Sequence, residues 1–265
     1  MSNEQELVVV RLEVREQGHV AYVTVNHPER RNVLGIAGKK ALTEVFRQLA
    51  RNELLRVAVL TGAGEKSFIA GADLAEMKDL KPKGAKEEHT WTHRACESLR
   101  ALPVPAIARI NGYCFGAGME LAASCDMRIG VTTAKFGMPE VRFGIPSGME
   151  ACLLPQLIGW GKTRELVYTG DHIDAAEAYR CGFLEKLVEP TGLDSGIEQW
   201  VSSIFAAGPR AIRLQKKLVR DWERMTIAQA VQAGIKACVE ARKTDEPKRL
   251  MAAFLDRKKT VSGKR

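Results

Sequence analysis

Asn111-Gly112-Tyr113-Cys114-Phe115-Gly116-Ala117-Gly118-Met119-Glu120 is a glycine-rich run that closes on an acid. The residues before it, Pro105 to Ile110, predict a strand. Those after Gly118, Met119 to Ser124, predict a helix of small residues. The first N–H groups of a helix have no internal acceptor and carry the positive end of its dipole. Aimed at a carbonyl oxygen, they would stabilise an enolate. The glycines are spaced G-x-x-x-G-x-G rather than the G-x-G-x-x-G of a dinucleotide loop. No acidic residue follows a second strand about 20 residues on, as that loop would require.

Two further stretches share this character. In Ser67-Phe68-Ile69-Ala70-Gly71-Ala72-Asp73-Leu74 an apolar strand end meets small residues and then a helix start, so a ligand can approach the backbone closely. Taken alone, it reads equally well as a strand-to-helix turn with Asp73 as N-cap and Glu76 as its third-position partner. Phe136-Gly137-Met138-Pro139-Glu140 ends on a second acid. Each acid has a plain explanation: Glu120 as a first-turn acid favoured by the dipole, Glu140 as part of a surface turn. Two acids following two such loops suggest more. Paired carboxyls can hold one water, take a proton at one atom and deliver one at another.

Around these stretches the first half of the chain alternates strands and helices. Leu7 to Val14 and Val20 to Val25 predict a hairpin through Gln17-Gly18-His19. Gly35 to Ala50 has helical spacing, Arg56 to Thr61 reads as a buried strand, and His89 to Leu102 as a helix stopped by prolines. Met127 to Val131 and Phe183 to Val188 are further strands. Leu153 to Leu157, Arg164 to Thr169 and Ala175 to Tyr179 are short amphipathic pieces, and three or four helices follow Gly192. The fold class expected is α/β, with a core over residues 1–192 and a helical region over 193–265. No internal repeat stands out.

The chain has 265 residues, 45% of them hydrophobic, enough for a sizeable core. No apolar run approaches the ~20 residues that span a bilayer. The polar N-terminus resembles neither a signal peptide nor a transit peptide, so a cytoplasmic location is expected. Six cysteines without CxxC spacing read as buried, reduced thiols and argue against zinc. The net charge of +8 suits nucleic acid, an acidic surface or a phosphorylated ligand. The basic residues are dispersed, and no aromatic residues interleave with them as a stacking platform would need.

The ordered motifs resemble the enoyl-CoA hydratase/isomerase (crotonase) family over essentially the whole chain. Ile69 to Leu74, Asn111 to Glu120 and Phe136 to Glu140 match its two oxyanion segments and its second acid. Asn26-His27-Pro28-Glu29-Arg30-Arg31-Asn32-Val33-Leu34 matches its N-terminal CoA-contact segment, and Met251 to Arg257 its C-terminal helix. The resemblance implies a ββα spiral core with a C-terminal helical trimerisation region, assembled as trimers or hexamers. It implies an oxyanion hole at the N–H groups of Ala72 and Ala117, with Glu120 and Glu140 catalytic. Glu120 would activate a water for attack on C3, and Glu140 would deliver a proton to C2. Substrate and CoA contacts are implied for Arg30, Asn32, Ala70, Gly71, Asp73, Leu74, Gly116, Phe254 and Arg257. No cofactor is implied beyond the CoA carried by the substrate, and no metal.

Hydration of an enoyl-CoA is the activity this implies. An isomerase or another crotonase chemistry is the alternative within the family, and an RNA-binding relative the alternative outside enzymes. The chain departs from the hydratase pattern in Gly144-Ile145-Pro146-Ser147-Gly148-Met149-Glu150-Ala151, one residue shorter and lacking Gly-Ala-Gly-Gly. Glu150 is expected there as a solvated helix-start acid rather than a neighbour of the site. Ala75 stands where some hydratases carry a CoA-contacting lysine, with Lys78 or Lys81 as substitutes.

Overall fold

A computed structural model describes residues 6–262, with side chains to Asp256. It divides into two units, Met1–Val201 and Ser202–Arg265.

The first unit opens with β1 (Val8–Arg15) and β2 (Gly18–Val25), paired antiparallel from Val8↔Val25 to Arg15↔Gly18. Then come α1 (Ile36–Ala50), β3 (Leu55–Gly62), β4 (Ser67–Ile69), α2 (Leu74–Met77) and α3 (Pro82–Arg100). They are followed by β5 (Ala106–Ile110), β6 (Tyr113–Phe115), α4 (Ala117–Ala123), β7 (Met127–Val131) and β8 (Lys135–Gly137). The unit continues through α5 (Leu154–Thr169), β9 (His172–Asp174), α6 (Ala175–Arg180) and β10 (Lys186–Val188) into α7 (Leu193–Ala206). The second unit takes the end of α7 with α8 (Pro209–Trp222), α9 (Ile227–Ala241) and α10 (Glu246–Ser262).

The strands form two sheets. The larger runs β1-β2-β3-β5-β7-β10 and is parallel from β2 onward; the smaller runs β4-β6-β8-β9. All eight residues of β3 are buried, as expected for a parallel strand covered on both faces. From β3 the chain repeats one pattern: a strand into the large sheet, a three-residue strand into the small one, then a helical segment. The repeat is one of conformation. Three-residue strands are too short to carry a side-chain period, so the sequence shows neither the repeat nor the second sheet.

Most predicted elements appear within a few residues of their expected bounds, and Met127–Val131 matches at both ends. Three differ instructively. α3 begins at Pro82, seven residues earlier than expected, because Pro82 sits at its first position, where a missing N–H costs nothing. The last strand shortens to Lys186–Val188. Asp73 caps α2 by accepting from Ala75 N at 3.0 Å, but Glu76 does not close a capping box. Its carboxylate instead accepts from Ile36 N at 3.0 Å, so it caps α1, whose N-cap Gly35 has no side chain to do so. Of the cysteines, Cys152 and Cys238 are exposed, against the expectation of burial.

Candidate active site

The small sheet builds the site. β4 and β6 run parallel with Ile69 opposite Cys114, and β6 and β8 run parallel with Phe115 opposite Gly137. The three strands therefore end at one edge. Ala72 lies three residues past the end of β4, Ala117 two past β6, and Glu140 three past β8. Ala72 and Ala117 each follow a glycine in the left-handed region, Gly71 at φ 118° and Gly116 at φ 52°. A side chain there would strain the backbone. The two glycines also touch: a Cβ on Gly71 would stand 3.4 Å from Phe115 O, and one on Gly116 4.0 Å from Gly71 Cα.

This geometry leaves two amides without acceptors. Leu34 bridges Ala72, but the bridge uses Gly71 O and Asp73 N, so the Ala72 N–H turns away from it. Ala117 is the first residue of α4, so its N–H has no helical acceptor. Among the described residues neither N–H donates a hydrogen bond. Gly118, next on α4, lets the helix approach: a Cβ there would lie 2.0 Å from Ile69 O.

Two asparagines hold the loop that feeds β4. Asn32 Nδ2 donates to Ala63 O at 3.0 Å and Ser67 O at 2.9 Å. Asn111 Nδ2 donates to Gly62 O at 2.9 Å and Gly64 O at 2.6 Å. Asn32, expected at the CoA, is fully buried in this tethering role and does not line the cavity.

A cavity of about 490 Å3 opens at this edge. Of the residues expected at the site, Arg30, Ala70, Gly71, Ala72, Asp73, Leu74, Gly116, Ala117, Glu120 and Glu140 all line it. Phe254 and Arg257 belong to α10 in the second unit; Phe254 is exposed, and the Arg257 side chain lies outside the described residues. At the cavity wall Arg30 forms an ion pair with Asp73 at 2.7 Å. Burial pushes the Asp73 carboxyl up, but Arg30 and the Ala75 amide outweigh it and hold it below its usual range.

Glu120 is 2% exposed, on the buried helix α4. Its Oε1 accepts from Ala151 N at 3.2 Å. Burial pushes its carboxyl up, Glu140 and Glu150 add their negative charges, and together they raise it to about 8 against the pull of the Ala151 amide and Lys39. Glu140 accepts from the Ser147 hydroxyl at 2.6 Å, and its Oε1 would be 2.6 Å from a Cβ on Gly116. This environment therefore favours the protonated form of Glu120 at neutral pH.

The segment that departs from the expected pattern holds both acids: Ser147 binds Glu140, and the Ala151 amide binds Glu120. Between them Met149 lines the cavity with φ 42°, a strained value for a side chain of its size. Glu150 is not solvated. It is 4% exposed and bonded to His93 Nδ1 at 2.7 Å, because the turn over Met149–Leu153 packs it inward against α3 and α4.

Sequence reasoning missed several wall residues. α3 contributes Glu88, His89 and Thr92 to the cavity, with Glu88 in a buried ion pair with Lys39 of α1. The Glu88–Thr92 spacing of one helical turn is the available signal, and a helix taken to begin at His89 leaves Glu88 outside it. His172 stacks on Phe115 at 4.3 Å; burial, then the charges of Arg142 and Lys135, lower its value. Among the described residues no group of three or more His, Cys, Asp or Glu could hold a metal, and no helix is long and apolar enough to cross a membrane.

The family model for enoyl-CoA hydratase/isomerase matches residues 15–264. The chain belongs to the enoyl-CoA hydratase/isomerase family. It is 34% identical over 247 residues to the short-chain-enoyl-CoA hydratase of Clostridium acetobutylicum, covering 93% of this chain and 95% of that one. It is 38% identical over 211 residues to the (E)-benzylidenesuccinyl-CoA hydratase of Thauera aromatica, covering 78% and 80%. Among solved structures, the enoyl-CoA hydratase of Bacillus anthracis aligns with a TM-score of 0.90 at 31% identity, over 95% of this chain and 97% of that one. The ββα repeat with its helical C-terminal segment is thus the crotonase fold.

Proposed function

We propose that the protein is an enoyl-CoA hydratase, adding water across the α,β double bond of an enoyl-CoA thioester or running the reverse dehydration. The observation that carries this is the meeting, around one cavity, of two acceptor-free amides with two carboxyls, of which Glu120 is raised to about 8 by burial and its acidic neighbours. A thioester oxygen between the Ala72 and Ala117 N–H groups would gain charge in the transition state. Losing one such donor typically costs ~3 kcal/mol. Hydration must place a hydroxyl at C3 and a proton at C2. One carboxyl acts as base on the water, the other as acid to the enolate.

The expected division has Glu120 as base and Glu140 as acid. The resting site favours a proton on Glu120, so this division requires it to pass to Glu140, through the bound water, once the thioester is in place. The chemistry moves a water and a proton without net oxidation, so no cofactor beyond the substrate's CoA is required. Arg30 and Arg31, both lining the cavity, are suited to the phosphates of CoA. Asn32 supports the segment that carries them, and Phe254 and Arg257 are proposed to reach CoA from a neighbouring subunit. Assembly as trimers or hexamers is supported by α9, where Ile227, Val231, Ile235 and Val239 are 86%, 55%, 53% and 60% exposed along one face. A cytoplasmic location is proposed with this metabolic role.

Incubation with crotonyl-CoA and a panel of longer, branched and aromatic enoyl-CoAs, following loss of the conjugated thioester absorbance, tests the reading. No turnover on any of them would refute it.

A further inference from the structure

Glu150 immediately precedes the amide that holds Glu120, yet it does not line the cavity. A carboxyl buried to this degree is costly unless it is paired and hydrogen-bonded. Its polar neighbours come from three directions. His93, Cys96 and Arg100 face it from α3, Glu120 from α4, and Cys152 from its own turn. Around Glu120 stand Glu140, Glu150, Lys39 and Cys96, and Lys39 is already paired with Glu88. Glu150 therefore neighbours Glu120 from outside the cavity lining, and its strongest partner is His93, whose side chain is 55% exposed.

We propose that Glu150, held by His93, is a positioning residue of the reaction: it steadies the Ala151 amide against the Glu120 carboxyl and, standing beside that carboxyl, favours its protonated form until substrate binds. Charge at Glu150 makes charge at Glu120 less favourable; burial pushes the Glu150 carboxyl up, and its 2.7 Å hydrogen bond with His93 Nδ1 pulls it back toward the charged form. The free site thus favours a proton resting on Glu120. Bound thioester then has only to move that proton, not to recruit one from water.

The kinetic readout rests on the hydratase reading, so a second readout is independent of it. In full-length enzyme, Glu150→Gln keeps the shape and an acceptor for His93 but removes the charge. With 13C-carboxyl-labelled glutamate and the signal assigned by Glu120→Gln, the Glu120 titration midpoint should fall by about one pH unit. The limb of kcat/KM for crotonyl-CoA that tracks this group should move with it. His93→Phe should move the midpoint the same way, and the double variant no further than Glu150→Gln alone. An unmoved midpoint in either folded single variant would overturn the proposal. So would a rate loss at every pH with the limb in place, the signature of a purely structural role. A shifted midpoint in a protein that hydrates no enoyl-CoA supports this proposal and refutes the hydratase reading instead.

Discussion

Replacing Glu120 with Gln should stabilise the protein in alkali and leave its stability in acid unchanged. The Glu120 carboxyl lies at about 8 in the folded chain against 4.5 for a free glutamate, so the folded state binds its proton more tightly. The sign follows from linkage. Below 4.5 both states are protonated and the group costs nothing. Between 4.5 and about 8 only the folded state holds the proton, so stability falls with rising pH; above about 8 the loss is complete. At ~1.4 kcal/mol per pH unit, that interval amounts to ~5 kcal/mol. Water entering the open cavity lowers this, so a difference of ~2–5 kcal/mol is expected at alkaline pH. Gln keeps the volume and can still accept from the Ala151 amide. Urea unfolding of both proteins, at one protein concentration and a series of pH values, reads the difference directly. A difference that stays flat from acid to alkali, or grows toward acid, would refute a buried carboxyl holding a proton.

Glu120→Gln and Glu140→Gln should each lower crotonyl-CoA turnover ~10^2- to 10^4-fold, and the double variant should fall little further because the two act as a unit. Near-full turnover in either single variant would remove that acid from the scheme. Gly118→Ala places a Cβ 2.0 Å from Ile69 O, which must push α4 off β4. A loss of ~1–3 kcal/mol in urea with a matching drop in kcat is expected, and an unchanged kcat would show that the Ala117 amide is not used. Lys39→Met strands the Glu88 carboxylate, at a cost of ~3–5 kcal/mol, most of it recovered in Lys39→Met/Glu88→Leu. A cost from Lys39→Met alone of under ~1 kcal/mol in urea would show that the pair is not held dry.

The large sheet was legible because its strands are apolar runs bounded by turn residues: β3 and β7 could be read almost to the residue. The small sheet was not. Its strands are three residues long, and what fixes them is the approach of one backbone to another, as at Gly118 and Ile69, which a sequence shows only as a glycine. The site divides the same way. Ala72, Ala117, Glu120 and Glu140 lie at fixed offsets from strand ends, so motif spacing alone brings them to one cavity. Asn32 stands in a motif yet lies off the cavity, and motif spacing does not show its hydrogen bonds to Ala63 and Ser67, which join parts of the chain about 30 residues apart. Glu76 likewise looked like a partner for Asp73 and instead caps α1 across a distance of 40 residues. Glu150 was misjudged because an acid at a helix start is usually solvated, and only packing against α3 reveals otherwise.

The two amides at the edge of the small sheet belong to the backbone, and every residue except proline has one. Short of proline, no exchange of side chain at 72 or 117 deletes the donor itself; only a change that bends the loops can misplace it. The carboxyls are different, since single substitutions at 120, 140 or 147 to 151 can remove or re-aim them. The chain thus separates a part of the site that is hard to lose from one that is easy to alter. Descendants of this sequence could exchange their acids and still inherit the two acceptor-free amides.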